Sequence, residues 1–193
     1  MDCNNCSVAE LKFEFDLAGE LNAAMLPQVV EHLKRREIVV VLKTQGFILP
    51  ESGAKEFMDF CLDYMEPDNV TFRINQGDWK PFSEIETVME MEWIDEVIKK
   101  ELLTCHYQPI VDVDEQIFAY EMLSRFQNED GSMIYPNQIF PAAKIRGRLY
   151  ALDRVCRMTA VKYAAVLKNK KAFINFFPHR FIRLNFVCGL LRN

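Results

Sequence analysis

The sequence predicts an α/β protein built in two parts, on three observations. Strand-like and helix-like apolar patterns alternate from about residue 10 to residue 90. Charge divides along the chain: residues 1–100 carry 10 Lys and Arg against 20 Asp and Glu, whereas residues 101–193 carry 13 against 8. Two apolar runs, 107–111 and 120–123, are joined by too few residues for a crossover helix, so they must pair as an antiparallel hairpin.

The first part begins with Leu11 to Phe15, which alternates like a half-buried strand. Leu21, Met25, Val29 and Leu33, with Leu26 and Val30 beside them, form the apolar stripe of a helix. Ile38 to Leu42 is a continuous aliphatic run and predicts a strand buried on both faces. Ser52 is placed to cap a helix whose stripe is Ala54, Phe57, Met58, Cys61 and Met65. Asn69 to Ile74 follows as a strand and Pro81 to Met91 as a helix, giving a small sheet with helices packed on it. In the second part, Leu152, Val155, Cys156, Thr159, Ala160, Tyr163, Ala164 and Leu167 recur at helical steps. Asp153 in that helix serves either a site or the first-turn dipole, with the dipole favoured.

Composition narrows the function. Half the residues are hydrophobic, enough for a core. No apolar run is long enough to span a membrane, and the N-terminus lacks the basic and apolar regions of a signal peptide, so a cytoplasmic protein is expected. The acidic front half argues against nucleic-acid polymers, and the basic back half suits an anionic ligand. Cys3 and Cys6 make either half a zinc site, completed by two of Cys61, Cys105, His106 and Cys156, or ordinary free thiols. The three histidines have no Ser or Cys partner in any triad pattern.

The chemistry-bearing stretch is Tyr107-Gln108-Pro109-Ile110-Val111 followed by Tyr120-Glu121-Met122-Leu123-Ser124-Arg125. Charged groups inside apolar strands need partners or a ligand. Glu121 and Arg125 point the same way along an extended strand. They fit either a structural ion pair or a site for a metal-bridged phosphate.

Taken in order, these motifs resemble the EAL domain family, the cyclic di-GMP phosphodiesterases of bacterial signalling, over about Trp93 to Pro178. Trp93 to Thr104 resembles the family's lead-in helix and Tyr107 to Val111 its first strand. Glu121-Met122-Leu123 stands at the name-giving Glu-Ala-Leu, with Arg125 as the motif's arginine. Pro136 to Gly147, with Phe140 and Ala143, resembles the connection into the next helix. Leu152-Asp153-Arg154 resembles that helix's opening, and Phe173-Ile174-Asn175-Phe176-Phe177-Pro178 the strand after it.

Ahead of that stretch, the strand-helix alternation makes residues 1–92 a small N-terminal α/β module. The resemblance implies a partial (β/α)8, TIM-like barrel with an antiparallel first strand over residues 93–193. It implies that Glu121 and Asn175 ligate a divalent metal, Mg²⁺ or Mn²⁺. It gives Arg125 a phosphate to hold, Gln108 a contact with the ligand, and Leu123 a place on the same floor. The implied reaction is hydrolysis of cyclic di-GMP to linear pGpG. Met122 and Ser124 depart from the family's alanine and leucine, and Lys144 stands where a glutamate is common.

A barrel of this family needs about 240 residues, in keeping with such folds generally. The family's later metal ligands and catalytic lysine find no match in His179 to Asn193. Two ligands cannot clamp the two ions of the family's hydrolysis. The expectation is a truncated chain, inactive alone, whose atypical tail over residues 179–193 arises from a frameshift at about Pro178. The alternative is a non-catalytic nucleotide-binding or protein-interaction module. Half a barrel would leave an open edge and the inner faces of Ile110, Leu123 and Phe176 uncovered, so a homodimer or a protein partner is expected.

Overall fold

The computed structural model describes residues 8–167 and 169–176. The chain forms two compact units, one running to Asp95 and taking in Pro141–Gly147, the other made of Glu96–Phe140 and the chain from Arg148. No helix among the described residues is long and apolar enough to cross a membrane. Cys3, Cys6 and the tail from His179 lie outside the described residues.

In the first unit β1 (Lys12–Leu17), β2 (Val41–Lys43), β3 (Gly46–Pro50), β4 (Val70–Ile74) and β5 (Lys80–Pro81) form one sheet in the order β2-β3-β1-β4-β5. Every neighbouring pair is antiparallel. With α1 (Glu20–Arg35) after β1 and α2 (Glu51–Tyr64) after β3, this is the split β-α-β arrangement of ferredoxin-like folds. Alternation along β1, β3 and β4 sends Phe13, Phe15, Phe47, Leu49, Val70 and Phe72 into the core against Val29, Leu33, Ala54, Phe57 and Cys61. Phe57 meets Phe15 and Phe47 edge-on, with ring centroids 4.6 and 4.9 Å apart. At Gly46 any Cβ would lie 2.0 Å from the carbonyl oxygen of Phe15, so only glycine lets β3 approach β1 there.

Four expectations for this unit need correction. Ile38 to Leu42 is not a strand buried on both faces: β2 covers only Val41–Lys43 and ends the sheet. Ile38 and Val40 pack on the core, while Val39, Val41 and Leu42 are exposed, because the strand has a neighbour on one side only. Ser52 does not cap α2, which starts one residue earlier after extended Pro50 and has no side-chain cap. Pro81 to Met91 is a 3₁₀ turn at Phe82–Glu84 leading into the short α3 (Ile85–Glu90). The lead-in helix α4 (Trp93–Lys99) stops well before Thr104, and Glu101 takes φ 47° ahead of the next strand.

Helix α1 ends in a Schellman turn: Ile38 N–H donates to the Leu33 carbonyl at 3.0 Å, and Glu37 N–H to that of Lys34 at 3.0 Å. The left-handed position of this turn, usually glycine, is held by Glu37 at φ 61°. The turn Asn75-Gln76, with φ 48° and 64° and a 2.8 Å bond from Gly77 N–H to the Ile74 carbonyl, is of the type I′ class.

The largest fully buried side chain is Arg146, which belongs to this unit. Its Nη2 donates to Asp95 Oδ2 at 2.8 Å and to Glu51 Oε2 at 2.8 Å, its Nε reaches Asp95 Oδ2 at 3.2 Å, and its Nη1 donates to the Val88 carbonyl at 3.2 Å. Burial pulls the guanidinium pKa down, but the two carboxylates more than offset it and hold the pKa above its ordinary value.

The second unit is built on β6 (Leu103–Val111) and β7 (Ile117–Gln127), an antiparallel hairpin in which Gln108 faces Glu121 and Thr104 faces Arg125. The far edge of β7 carries β8 (Met133–Ile134), antiparallel, and β9 (Lys171–Ile174), parallel. Helix α6 (Leu149–Ala164) makes the crossover from β7 to β9 and packs Ala160, Tyr163 and Ala164 on Cys105, Tyr120, Met122 and Ile174. Helix α5 (Pro136–Ile145) is divided at Phe140 between the two units. The strand expected at Phe173 to Pro178 begins earlier, at Lys171, and Phe177 and Pro178 lie outside the described residues.

Two stability outcomes follow. Both tryptophans, Trp79 and Trp93, lie in the first unit, so their fluorescence in a urea titration reads its unfolding. Arg146→Ala removes the cation from buried Asp95 and half-buried Glu51 and should cost about 3–5 kcal/mol; a loss under about 1 kcal/mol contradicts this role. Glu37→Gly relieves the left-handed residue and should raise stability by about 1 kcal/mol, and a loss would show that the side chain is needed within the single chain.

Candidate functional site

Side chains on β7 alternate between two surroundings. Tyr120 and Met122 face α6. Glu121, Leu123 and Arg125 therefore share the other face, with Gln108 and His106 opposite them on β6. In the parallel pairing Phe173 stands beside Glu121, so Asn175, two residues on, is on this face as well.

Asn175 Nδ2 donates to Glu121 Oε1 at 2.8 Å, joining residues 54 apart in sequence. The Glu121–Arg125 ion pair is absent: no such bridge occurs among the described residues, and four residues of strand span about 13 Å. Instead Arg125 Nη1 donates to the carbonyl of its neighbour Ser124 at 3.0 Å, and no carboxylate among the described residues pairs with the guanidinium.

A cleft of about 450 Å³ opens at the carboxyl ends of the parallel strands β7 and β9. Leu123, Arg125 and Asn175 line it, together with Phe140, Asp153 and Phe176. Gln108 and Glu121 are not part of that lining, which also takes in Met122, Cys156, Ala160 and Ile174 from the α6 face at the strand ends. Asp153 is not a first-turn residue, since α6 begins at Leu149. It is buried at the cleft wall and accepts a 3.0 Å bond from Arg157 Nε. Phe176, expected on the same inner face as Leu123, reaches the cleft, and so does Cys156, which the helical stripe places on a core face without saying that this face ends at an opening.

Burial disfavours the thiolate form of the cysteines here. Burial pushes Cys156 up to about 11, with a hydrogen bond to Ser124 offsetting it in part, and burial also raises Cys105. Cys61, Cys105 and Cys156 are all buried and free.

Glu121 and Asn175 offer oxygen donors of the kind a hard divalent cation takes. Among the described residues, however, no group of three or more His, Cys, Asp or Glu could hold a metal ion. Glu121 Oε1 already accepts a hydrogen bond from the Asn175 amide. The donor set does not fit a two-ion centre.

No curated protein matches the chain. Among solved structures, the PaMucR phosphodiesterase in its c-di-GMP complex is similar over 50% of this chain and 41% of its own, at 19% identity and a TM-score of 0.36. The Vibrio cholerae LapD S helix-GGDEF-EAL structure is similar at 13% identity. Its c-di-GMP-bound form is covered at 90% of this chain and 56% of its own with a TM-score of 0.39, and its apo form at 87% and 54% with 0.40. The chain spans about half the length of these structures. Scores this low leave the assignment to the family model. The model of the EAL domain matches residues 91–187, half of the sequence, and the chain belongs to the EAL domain family.

Proposed function

We propose that this chain acts in cyclic di-GMP signalling by recognising the dinucleotide at the cleft on the carboxyl ends of β7 and β9, and that alone it does not hydrolyse it. The observation that supports recognition is a guanidinium with no carboxylate partner among the described residues, Arg125, at the wall of an open cleft beside Leu123 and Asn175. A planar fork of donors suits a phosphate edge, and a basic back half favours an anionic ligand. Gln108 supplies an amide behind the cleft, opposite Glu121.

In this reading residues 93–193 are the EAL part, residues 1–92 an N-terminal module, and β7-α6-β9 one unit of a partial (β/α)8 barrel. Its site would stand at the strands' carboxyl ends, where such barrels build theirs. The protein would work in the cytoplasm.

The absence of hydrolysis rests on the donors. In the family's reaction two ions clamp the attacking and leaving oxygens. This chain brings Glu121 and Asn175 together, and residues 177–193 contain no Asp or Glu to add to them. Binding of Mg²⁺ or Mn²⁺ is therefore weak or absent.

Equilibrium dialysis with cyclic di-GMP, followed by chromatography after incubation with Mn²⁺, tests both halves. Binding without linear pGpG is expected, and Arg125→Ala should weaken binding by about 10- to 100-fold, the worth of hydrogen bonds to a charged group. Turnover contradicts the inactivity. Failure to bind contradicts recognition and leaves the interaction-module reading.

A further inference from the structure

The sheet of the first unit has a covered face and an open one. Phe13, Phe15, Phe47 and Phe72 point into the core, so the residues that alternate with them stand on the other face. There the register sets Glu14 of β1 between Ile48 of β3 and Arg73 of β4. A cleft of about 310 Å³ opens on this face, lined by Lys12, Glu14, Lys43 and Arg73 together with the amides of Asn75 and Gln76.

The charge of the lining runs against that of its surroundings. Residues 1–100 carry 10 Lys and Arg against 20 Asp and Glu, yet three of the basic side chains line this cleft and only one of the acidic ones. Asp16 shares the face but stands outside the lining. Glu14 is already engaged, its Oε2 accepting from Arg73 Nε at 2.9 Å and from Nη2 at 2.8 Å. Lys12 and Lys43 have no ion-pair partner among the described residues. A concave site with two positive charges in excess draws anions.

Two features prepare the cleft for a ligand. The Arg73 guanidinium is fixed by Glu14 and by the Trp79 ring, 4.6 Å from its centroid, so little freedom is lost on binding. In the Asn75-Gln76 turn, Gln76 takes φ 64° at a position that favours glycine, so the chain keeps an amide side chain on the cleft at a backbone cost. Asn75 Oδ1 accepts the Lys12 N–H at 3.1 Å, which leaves Asn75 Nδ2 as a donor.

We propose that this cleft binds a small phosphate monoester, whose terminal oxygens meet the ammonium groups of Lys12 and Lys43 and the amides of Asn75 and Gln76. Two charges on one compact group match two ammonium point charges converging on one cleft. The site lies wholly within the first unit and is independent of the dinucleotide reading.

An amide-resolved NMR titration of the isotope-labelled full chain with glycerol 3-phosphate tests this, at about pH 8, where the phosphate carries two charges. Ionic strength is held constant with sodium chloride. Saturable shifts centred on β1, β4 and the turn at Asn75 and Gln76 are expected. Replacing both lysines, Lys12→Gln with Lys43→Gln, should weaken binding by at least about tenfold. Lys34→Gln with Lys55→Gln removes the same charge from exposed helix positions and should leave binding unchanged. Arg125→Ala should leave these shifts in place, which separates this site from the cleft of the second unit. Shifts that do not saturate, or an equal loss in the Lys34 and Lys55 pair, would reduce the effect to general charge and overturn the site. Loss of the shifts in Arg125→Ala would also overturn it, and succinate binding as tightly would overturn the phosphate class.

Discussion

Strand β7 is hydrogen-bonded on both edges, and that constraint organises the second unit. With β6 on one side and β8 and β9 on the other, its backbone has no freedom to slip. A slip of one residue would exchange its faces, putting Glu121 and Arg125 against α6 and Met122 in the open. The apolar alternation that buries Met122 and Phe126 therefore also fixes where the polar groups stand. Packing and site are two sides of one register.

The first unit depends on a different kind of constraint. Its core is a stack of phenylalanines between an antiparallel sheet and two helices, an assembly that needs no polar group to be stable. Yet Arg146 is fully buried in it, held by Asp95, Glu51 and a carbonyl. Such a cluster adds little over apolar packing, but breaking it by removing one partner is costly, because it leaves buried charge uncompensated. It makes the position of Pro141–Gly147 within this unit specific.

Much of this was legible in the sequence, where local rules decide. The β6-β7 hairpin was legible because its connection is too short for anything else, and α6 because its stripe is long. The errors fall where local pattern is silent about neighbours. A run such as Ile38 to Leu42 looks the same in a buried strand and at a bare edge. β3 was missed because five residues between Gly46 and Pro50 carry too little periodicity. The spacing of Glu121 and Arg125 suggested a pair because it was judged by direction and not by the length of an extended chain. Arg146 gave no signal, since its partners lie 51 and 95 residues away. Asn175 could be set beside Glu121 only through the family resemblance, as nothing in local sequence joins two strands across a crossover helix.

The most direct test of the account is a nuclear Overhauser measurement on the isotope-labelled chain, read at the Asn175 side-chain amide. The account predicts cross-peaks to the side-chain protons of Glu121, lost in Glu121→Ala. Cross-peaks to Met122 or Tyr120 instead would put Asn175 on the α6 face and contradict the register on which the site is built.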